Sequence, residues 1–258
     1  FGRVGVAQAR PAVELFGVAA PETTLRERMR QALDGRAGRF SLRVNLFSEA
    51  ISLRAPDAMV QPRVLTTLSP PAAPLTTPLR LQSQAYAREA PHLKHAATFG
   101  LTWARRQAVL AGFDDALFVD GAGRISEGSI WNIGFIRGDA LVWPEAPMLV
   151  GTGQGLLQRG AAEAGWSSAT RPIHLSELAD FDAAFICNSA TPATSGSSCR
   201  VGSRSRPSRP SPMLTVMVCE VSPMAIGSLR RASQCAASCS SRVAAVTASP
   251  PRSLSSST

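Results

Sequence analysis

The chain has 258 residues, 45% of them apolar and 17% charged, which allows one large domain or two smaller ones with a proper core. No apolar run approaches the roughly 18 residues of a membrane span, so no membrane partner is expected. The start, Phe1-Gly2-Arg3-Val4, has neither the features of a signal peptide nor an initiating Met, which reads as a cytoplasmic chain truncated at its start.

In chain order, Pro21-Glu22-Thr23-Thr24 opens a helix in which Thr24 and Glu27 are spaced as a capping box; Leu25, Met29 and Leu33 form its apolar stripe and Gly35 ends it. Phe40, Leu42, Val44 and Leu46 alternate as in a strand with one buried face, and Val64–Leu68 is a second strand. A loop rich in proline (Pro70, Pro71, Pro74, Pro78) precedes a strand over Leu79–Gln84, and Tyr86–Pro91 reads as an interdomain link. Thr98–Leu110 is a helix closed by Gly112, and Ala116–Val119 a short strand before the turn Asp120-Gly121-Ala122-Gly123. Ile130–Ile136 and Ala140–Trp143 form a hairpin around Arg137-Gly138-Asp139. Leu156–Ala164 is a helix closed by Gly165, and Ala183–Cys187 the last strand; there is no internal repeat.

At about Pro192 the chain changes type. Residues 194–258 hold eight arginines and one acid, Glu220, so +7 of the formal net charge of +9 lies there and residues 1–193 are nearly balanced. The same stretch holds 18 serines, four of the five cysteines and no aromatic residue. With little to bury, this tail is expected to be disordered and to add little stability. No aromatic side chains interleave its arginines to stack on bases, so nucleic acid is not the expected partner. Cys199, Cys219, Cys235 and Cys239 lack the paired spacing of a zinc site. Arg, Ser, Pro, Ala and Cys are what a GC-rich gene yields when read in the wrong frame, and the tail is read here as out of register with the rest.

Lys94 is the only lysine among 27 basic side chains. Arginine replaces lysine readily on a solvated surface. It cannot replace an amine that must attack a carbonyl, because guanidinium does not deprotonate in proteins. A sole lysine in Pro91-His92-Leu93-Lys94-His95 is therefore a candidate Schiff-base nucleophile, to be weighed against a chance surface residue. Glu127, between two strand-like runs, is either a solvated turn residue or an inward acid able to hold a cationic ring nitrogen. Leu149-Val150-Gly151-Thr152-Gly153-Gln154 runs into a helix, whose N-terminal N–H groups favour a phosphate. Asn188-Ser189-Ala190-Thr191 is a second small polar loop. Lysine, inward acid and phosphate cradle together suit pyridoxal 5'-phosphate.

Three rival readings are weaker. Gly151-Thr152-Gly153-Gln154-Gly155 resembles a dinucleotide fingerprint, but its sixth position is Leu156 where Gly or Ala is needed. His92 and His95 lack a partnered carboxylate for a metal, so no metal is expected. Asp114 and Asp115 are adjacent on a strand, face opposite ways and read as structural.

The run from Lys94 through Gly112-Phe113-Asp114-Asp115-Ala116-Leu117-Phe118-Val119-Asp120, then Glu127-Gly128-Ser129 and Asn132, resembles the class IV aminotransferases. These are the fold-type IV pyridoxal phosphate enzymes, which include branched-chain and D-amino acid aminotransferases and aminodeoxychorismate lyase. The resemblance extends from about Phe16 to Pro192. It implies a two-domain α/β (α+β) fold: a small N-terminal α+β domain over residues 1–85, a larger β-rich cofactor domain over 86–193, and then the tail. It implies Lys94 as the Schiff-base lysine, Glu127 on the pyridine nitrogen, Leu149 against the ring, backbone amides of Thr152 and Gly153 and the hydroxyl of Ser189 on the phosphate, and a homodimer. The implied reaction moves an amino group from an amino acid to a 2-oxo acid; a lyase of the aminodeoxychorismate type and an inactive remnant are the alternatives. Phe99 stands where the family carries a tyrosine, and Val150, Thr152, Gly153 and Gln154 depart from the family's Leu-Pro-Gly-Ile-Thr-Arg. The early His-x-x-Arg has no counterpart before Phe16, Arg10 being out of register.

Overall fold

The computed structural model describes Pro11, Glu14, residues 22–71 and 79–189, and the backbone of 214–218. The first helix, α1 (Glu22–Leu33), buries Leu25 and ends at Gly35, whose φ of 65° is the left-handed conformation that glycine adopts without strain. It begins two residues before the expected capping box, so Thr24 lies inside its first turn. The exposed pair there is Glu22 with Arg26, one turn on, at 2.7 Å from Nε. Strands β1 (Ser41–Phe47) and β2 (Arg63–Ser69) form an antiparallel pair in the register Ser41↔Ser69 to Phe47↔Arg63, and α1 packs on β2.

The remaining strands make one eight-stranded sheet. They are β3 (Leu79–Ala85), β4 (Asp115–Val119), β5 (Ile125–Gly128), β6 (Asn132–Arg137), β7 (Ala140–Pro144), β8 (Ser167–Arg171), β9 (Ala183–Cys187) and β10 (Leu214–Val218), in the order β5-β4-β3-β10-β9-β6-β7-β8. Three neighbouring pairs are parallel, β3–β4, β7–β8 and β9–β10, and two of them are joined by helical crossovers. Helix α2 (Phe99–Leu110) joins β3 to β4, and α3 (Thr152–Glu163) joins β7 to β8. A 3-10 turn, Leu175–Asp180, leads into β9.

Every residue of β4 and β9 is buried, as in strands covered on both faces. Their side chains alternate between layers. Ala184 and Ile186 join Ile133, Phe135, Leu117 and Val119 on one side, while Ala183, Phe185 and Cys187 meet Leu157 and Ala161 of α3 on the other. Under α2, Leu101, Ala104 and Ala108 pack on Ala116 and Phe118. Among the described residues, no helix is long and apolar enough to cross a membrane.

Several expectations shift. The expected domain boundary lies at residue 85; β2, ending at Ser69, belongs to the two-stranded sheet, and β3, starting at Leu79, pairs with β4 and β10 in the large one. Helix α3 starts at Thr152 rather than Leu156, because its glycines hide the helical pattern. The sequence does not predict strand β8: Ser167-Ser168-Ala169-Thr170 is exposed throughout and forms by pairing its backbone with β7 at the sheet edge. The tail lies outside the described residues except at Leu214–Val218. That segment is the tail's β-prone run, and its backbone forms β10 between β3 and β9.

Candidate active site

The loop between β3 and α2 carries Lys94, and it is folded rather than a free link. Leu93 N–H donates to Ala90 C=O at 2.9 Å, and Ala90 takes a φ of 42°, uncommon for a residue with a Cβ. The Arg88 guanidinium reaches Leu93 C=O at 3.5 Å, and the His95 ring lies 3.2 Å from Glu89 C=O. With Leu93 buried, this turn directs Lys94 into a cleft that Glu127, Ile130, Trp131, Asn132, Leu149, Gly151, Thr152, Asn188 and Ser189 also line. Lys94 is exposed as a residue, but its amine is partly desolvated, and that desolvation is the main cause of a pKa below the ordinary lysine value. Arg88, and more weakly Arg43 of β1, push it the same way; Glu127 opposes them.

Glu127 sits in β5, which pairs with β4 through Leu117↔Gly128. It is 5% exposed, and burial pushes its carboxyl up to about 7 against the opposing pull of Arg88, the Leu149 N–H and Lys94. Its Oε1 is buried and has no hydrogen-bond partner. A buried acceptor without a donor is costly and rare, and it marks a place where a ligand can donate.

Asp115, fully buried on β4, fixes the stretch that follows Glu127. It accepts from Ser129 Oγ at 2.6 Å and from Trp131 Nε1 at 3.0 Å. Asp114 accepts instead from the Arg80 N–H at 2.6 Å, so the two acids are structural and serve different partners.

Asn132, 4% exposed at the start of β6, ties down the loop before α3. Its Nδ2 donates to Leu149 C=O at 2.7 Å and its Oδ1 accepts from Gly151 N–H at 2.9 Å. A Cβ on Gly151 would lie 2.2 Å from that oxygen, so the loop needs glycine there. No side chain caps the N-terminus of α3. A Cβ on Gly153 would come within 2.8 Å of Asn188 C=O, which shows how tightly the first turn of α3 abuts the loop carrying Ser189.

Five of the six candidate residues, Lys94, Glu127, Leu149, Thr152 and Ser189, therefore line one cleft. Gly153 lies behind it in the first turn of α3. Phe99 is 81% exposed, stacks on Trp103 and is not among the lining residues. Arg88, Asp115, Trp131 and Asn132 were not singled out as site residues from sequence. Arg88 is one arginine among 26, and only contact across the sheet shows the others' roles.

The family model described as amino-transferase class IV matches residues 10–199. A probable branched-chain-amino-acid aminotransferase of Synechocystis is 31% identical over 93 residues, 35% of this chain; the match spans only 30% of that protein. A branched-chain aminotransferase from the archaeon Thermoproteus uzoniensis, solved with norvaline, superposes with a TM-score of 0.67 at 15% identity, covering 90% of this chain and 76% of that one. The Escherichia coli branched-chain amino acid aminotransferase gives 0.62 at 17% identity over 74% and 67%. A candidate 4-amino-4-deoxychorismate lyase of Legionella pneumophila gives 0.61 at 19% identity over 73% of each chain. At these identities the solved structures show the fold alone, and the family model shows the lineage: the chain belongs to the class IV aminotransferases, a family that uses pyridoxal phosphate.

Proposed function

We propose that this cleft binds pyridoxal 5'-phosphate and that the protein transfers an amino group from an amino acid to a 2-oxo acid. The observation that carries this reading is the pairing, in one cleft, of an amine with a depressed pKa and a buried carboxylate oxygen that lacks a donor. The residues fit the cofactor. Glu127 Oε1 offers an acceptor for a protonated ring nitrogen, Leu149 a surface for the ring, and the α3 N-terminus at Thr152 and Gly153, with the Ser189 hydroxyl, a seat for the phosphate. When bound, pyridoxal phosphate supplies an electron sink for the negative charge left at the substrate's Cα.

Each residue then has a task. A lysine with an ordinary pKa of about 10.4 is protonated at neutral pH, so lowering it readies Lys94 Nζ both to attack a carbonyl and to move a proton at Cα. Glu127 holds the proton on the ring nitrogen. The buried Trp131 shields one side of the cleft from water, and Asp115 fixes it in place. We place the protein in the cytoplasm as a homodimer. Phe99, Trp103 and Leu110 leave an exposed apolar stripe on one face of α2, a surface that a second subunit would cover.

The test is to load the purified protein with pyridoxal phosphate, reduce it with borohydride and map the labelled peptide. Label on Lys94, abolished by Lys94→Ala, is expected; protein that stays colourless when loaded defeats the proposal. Amino transfer further requires that product formation depend on an added 2-oxo acid, whereas a lyase would form its product without one.

A further inference from the structure

We infer that Arg88 is a positioning residue for Glu127: its guanidinium supplies the counter-charge that keeps the buried carboxylate ionised while leaving Oε1 open to accept a hydrogen bond from the cofactor. The inference rests on the cofactor reading above.

The geometry is unusual for an ion pair. Both side chains are almost fully buried, at 7% and 6% exposure, and Arg88 Nε lies 3.8 Å from Glu127 Oε1. Neither atom has a hydrogen-bond partner. A forked guanidinium–carboxylate pair would occupy the acceptor. At 3.8 Å the charge attraction remains strong in a dry site, yet the oxygen stays available. The guanidinium is steadied from the other side by Leu93 C=O, one residue before the candidate nucleophile. One arginine thus bears on both groups, favouring charge on Glu127 and neutrality on Lys94.

Among the described residues, no other charged side chain bears on both Glu127 and Lys94 in this way. Of the charged groups that act on Glu127, Arg88 ranks ahead of Lys94, whose amine becomes neutral in use. Asp115, on the neighbouring strand, is spent on Ser129 and Trp131 and lies 3.8 Å from Arg105. His95 turns to Glu89 C=O. Charge on Glu127 matters because a neutral carboxyl can donate a hydrogen bond to a pyridine nitrogen but cannot keep a proton on it.

The pH dependence follows. The folded value of Glu127, about 7, lies above its ordinary value of 4.5. Between the two the folded chain holds a proton that the unfolded chain has lost, so stability falls as pH rises through this window and levels off above it. Without Arg88 the upper limit of the window moves higher.

The experiment follows the thermal midpoint of the full chain, freed of cofactor, against pH for wild type, Arg88→Met and Arg88→Lys, with Glu127→Gln to identify the contribution of Glu127. Arg88→Met should raise the upper limit by about one pH unit or more, and Arg88→Lys should leave it within about half a unit. With ring-15N pyridoxal phosphate bound at pH 7.5, the nitrogen shift should report a protonated ring in wild type and Arg88→Lys, and loss of that proton in Arg88→Met. An Arg88→Met profile identical to wild type overturns the inference. If Arg88→Met does not fold, Arg88→Lys decides alone: a raised limit or a deprotonated ring there means that packing, not charge, was at work. Wild-type protein that takes up no cofactor defeats the functional reading and the ring-nitrogen step, while the cofactor-free profiles still decide whether Arg88 holds Glu127 ionised.

Discussion

Asn132 does with one amide what would otherwise need two side chains: it satisfies Leu149 C=O and Gly151 N–H and thereby sets the entry to α3. Asn132→Ala leaves both backbone groups without these partners in a site that is 4% exposed, at a cost of roughly 1–3 kcal/mol. Because the same loop carries Leu149 and leads to Thr152, the loss should fall harder on cofactor binding than on folding. We expect pyridoxal phosphate affinity to drop on the order of tenfold, equivalent to about 1.4 kcal/mol, as measured by absorbance titration of Asn132→Ala against wild type. An unchanged affinity in a destabilised variant would assign Asn132 to folding alone. At this scale the sequence is legible where residue type is scarce: Lys94 is the sole lysine, and Glu127 an acid between strand-like runs. It is not legible where the type is common and the partner distant. Nothing local distinguishes Arg88 from the other arginines, and Asn132 meets its partners only because β6 runs beside the loop after β7.

Elements follow the same division. Elements whose burial writes an apolar pattern stand out in sequence: the continuous runs of β4 and β9, covered on both faces, and the helical stripe of α2. The first turn of α3 and all of β8 do not, since one is glycine-rich and the other polar and exposed. Close packing inside the large sheet sets a further constraint that sequence does not show. Gly134 in β6 lies against Phe185 of β9, and a Cβ there would sit 2.4 Å from the ring. The ring cannot retreat freely, because it meets Trp143 edge-on with 5.2 Å between centroids. Gly134→Ala should therefore destabilise the protein by about 1–3 kcal/mol through overpacking, despite the better β-propensity of alanine. Urea unfolding measures it; a neutral or stabilising result would mean that the two sheet faces are more plastic than this contact implies.

For the whole molecule, the question is what holds the large sheet together. Strands β5-β4-β3 form one flank and β9-β6-β7-β8 the other, and β10 lies between them, antiparallel to β3 and parallel to β9. The family match ends at residue 199, before β10 begins, and the composition of the tail gives no hint of a central strand. The expectation that residues after 193 add little stability stands beside one strand in that stretch, the five residues of β10. Its backbone pairs with both neighbours, Leu214–Val216 with β3 and Met217–Val218 with β9, and so satisfies polar groups on part of each edge. A chain ending at residue 193 would leave β3 and β9 with facing, unpaired edges beside a buried core, the arrangement that invites edge-to-edge association. A chain ending at 220 keeps the strand and discards the residues beyond it. We expect the shorter chain to melt several degrees below the full-length protein, since about 1 kcal/mol corresponds to roughly 2–4 °C in a chain of this size, and to sediment as aggregate. The chain ending at 220 should behave like full length in both respects. Equal melting of all three would mean that the two flanks close on each other without β10, and would restore the reading of the tail as dispensable.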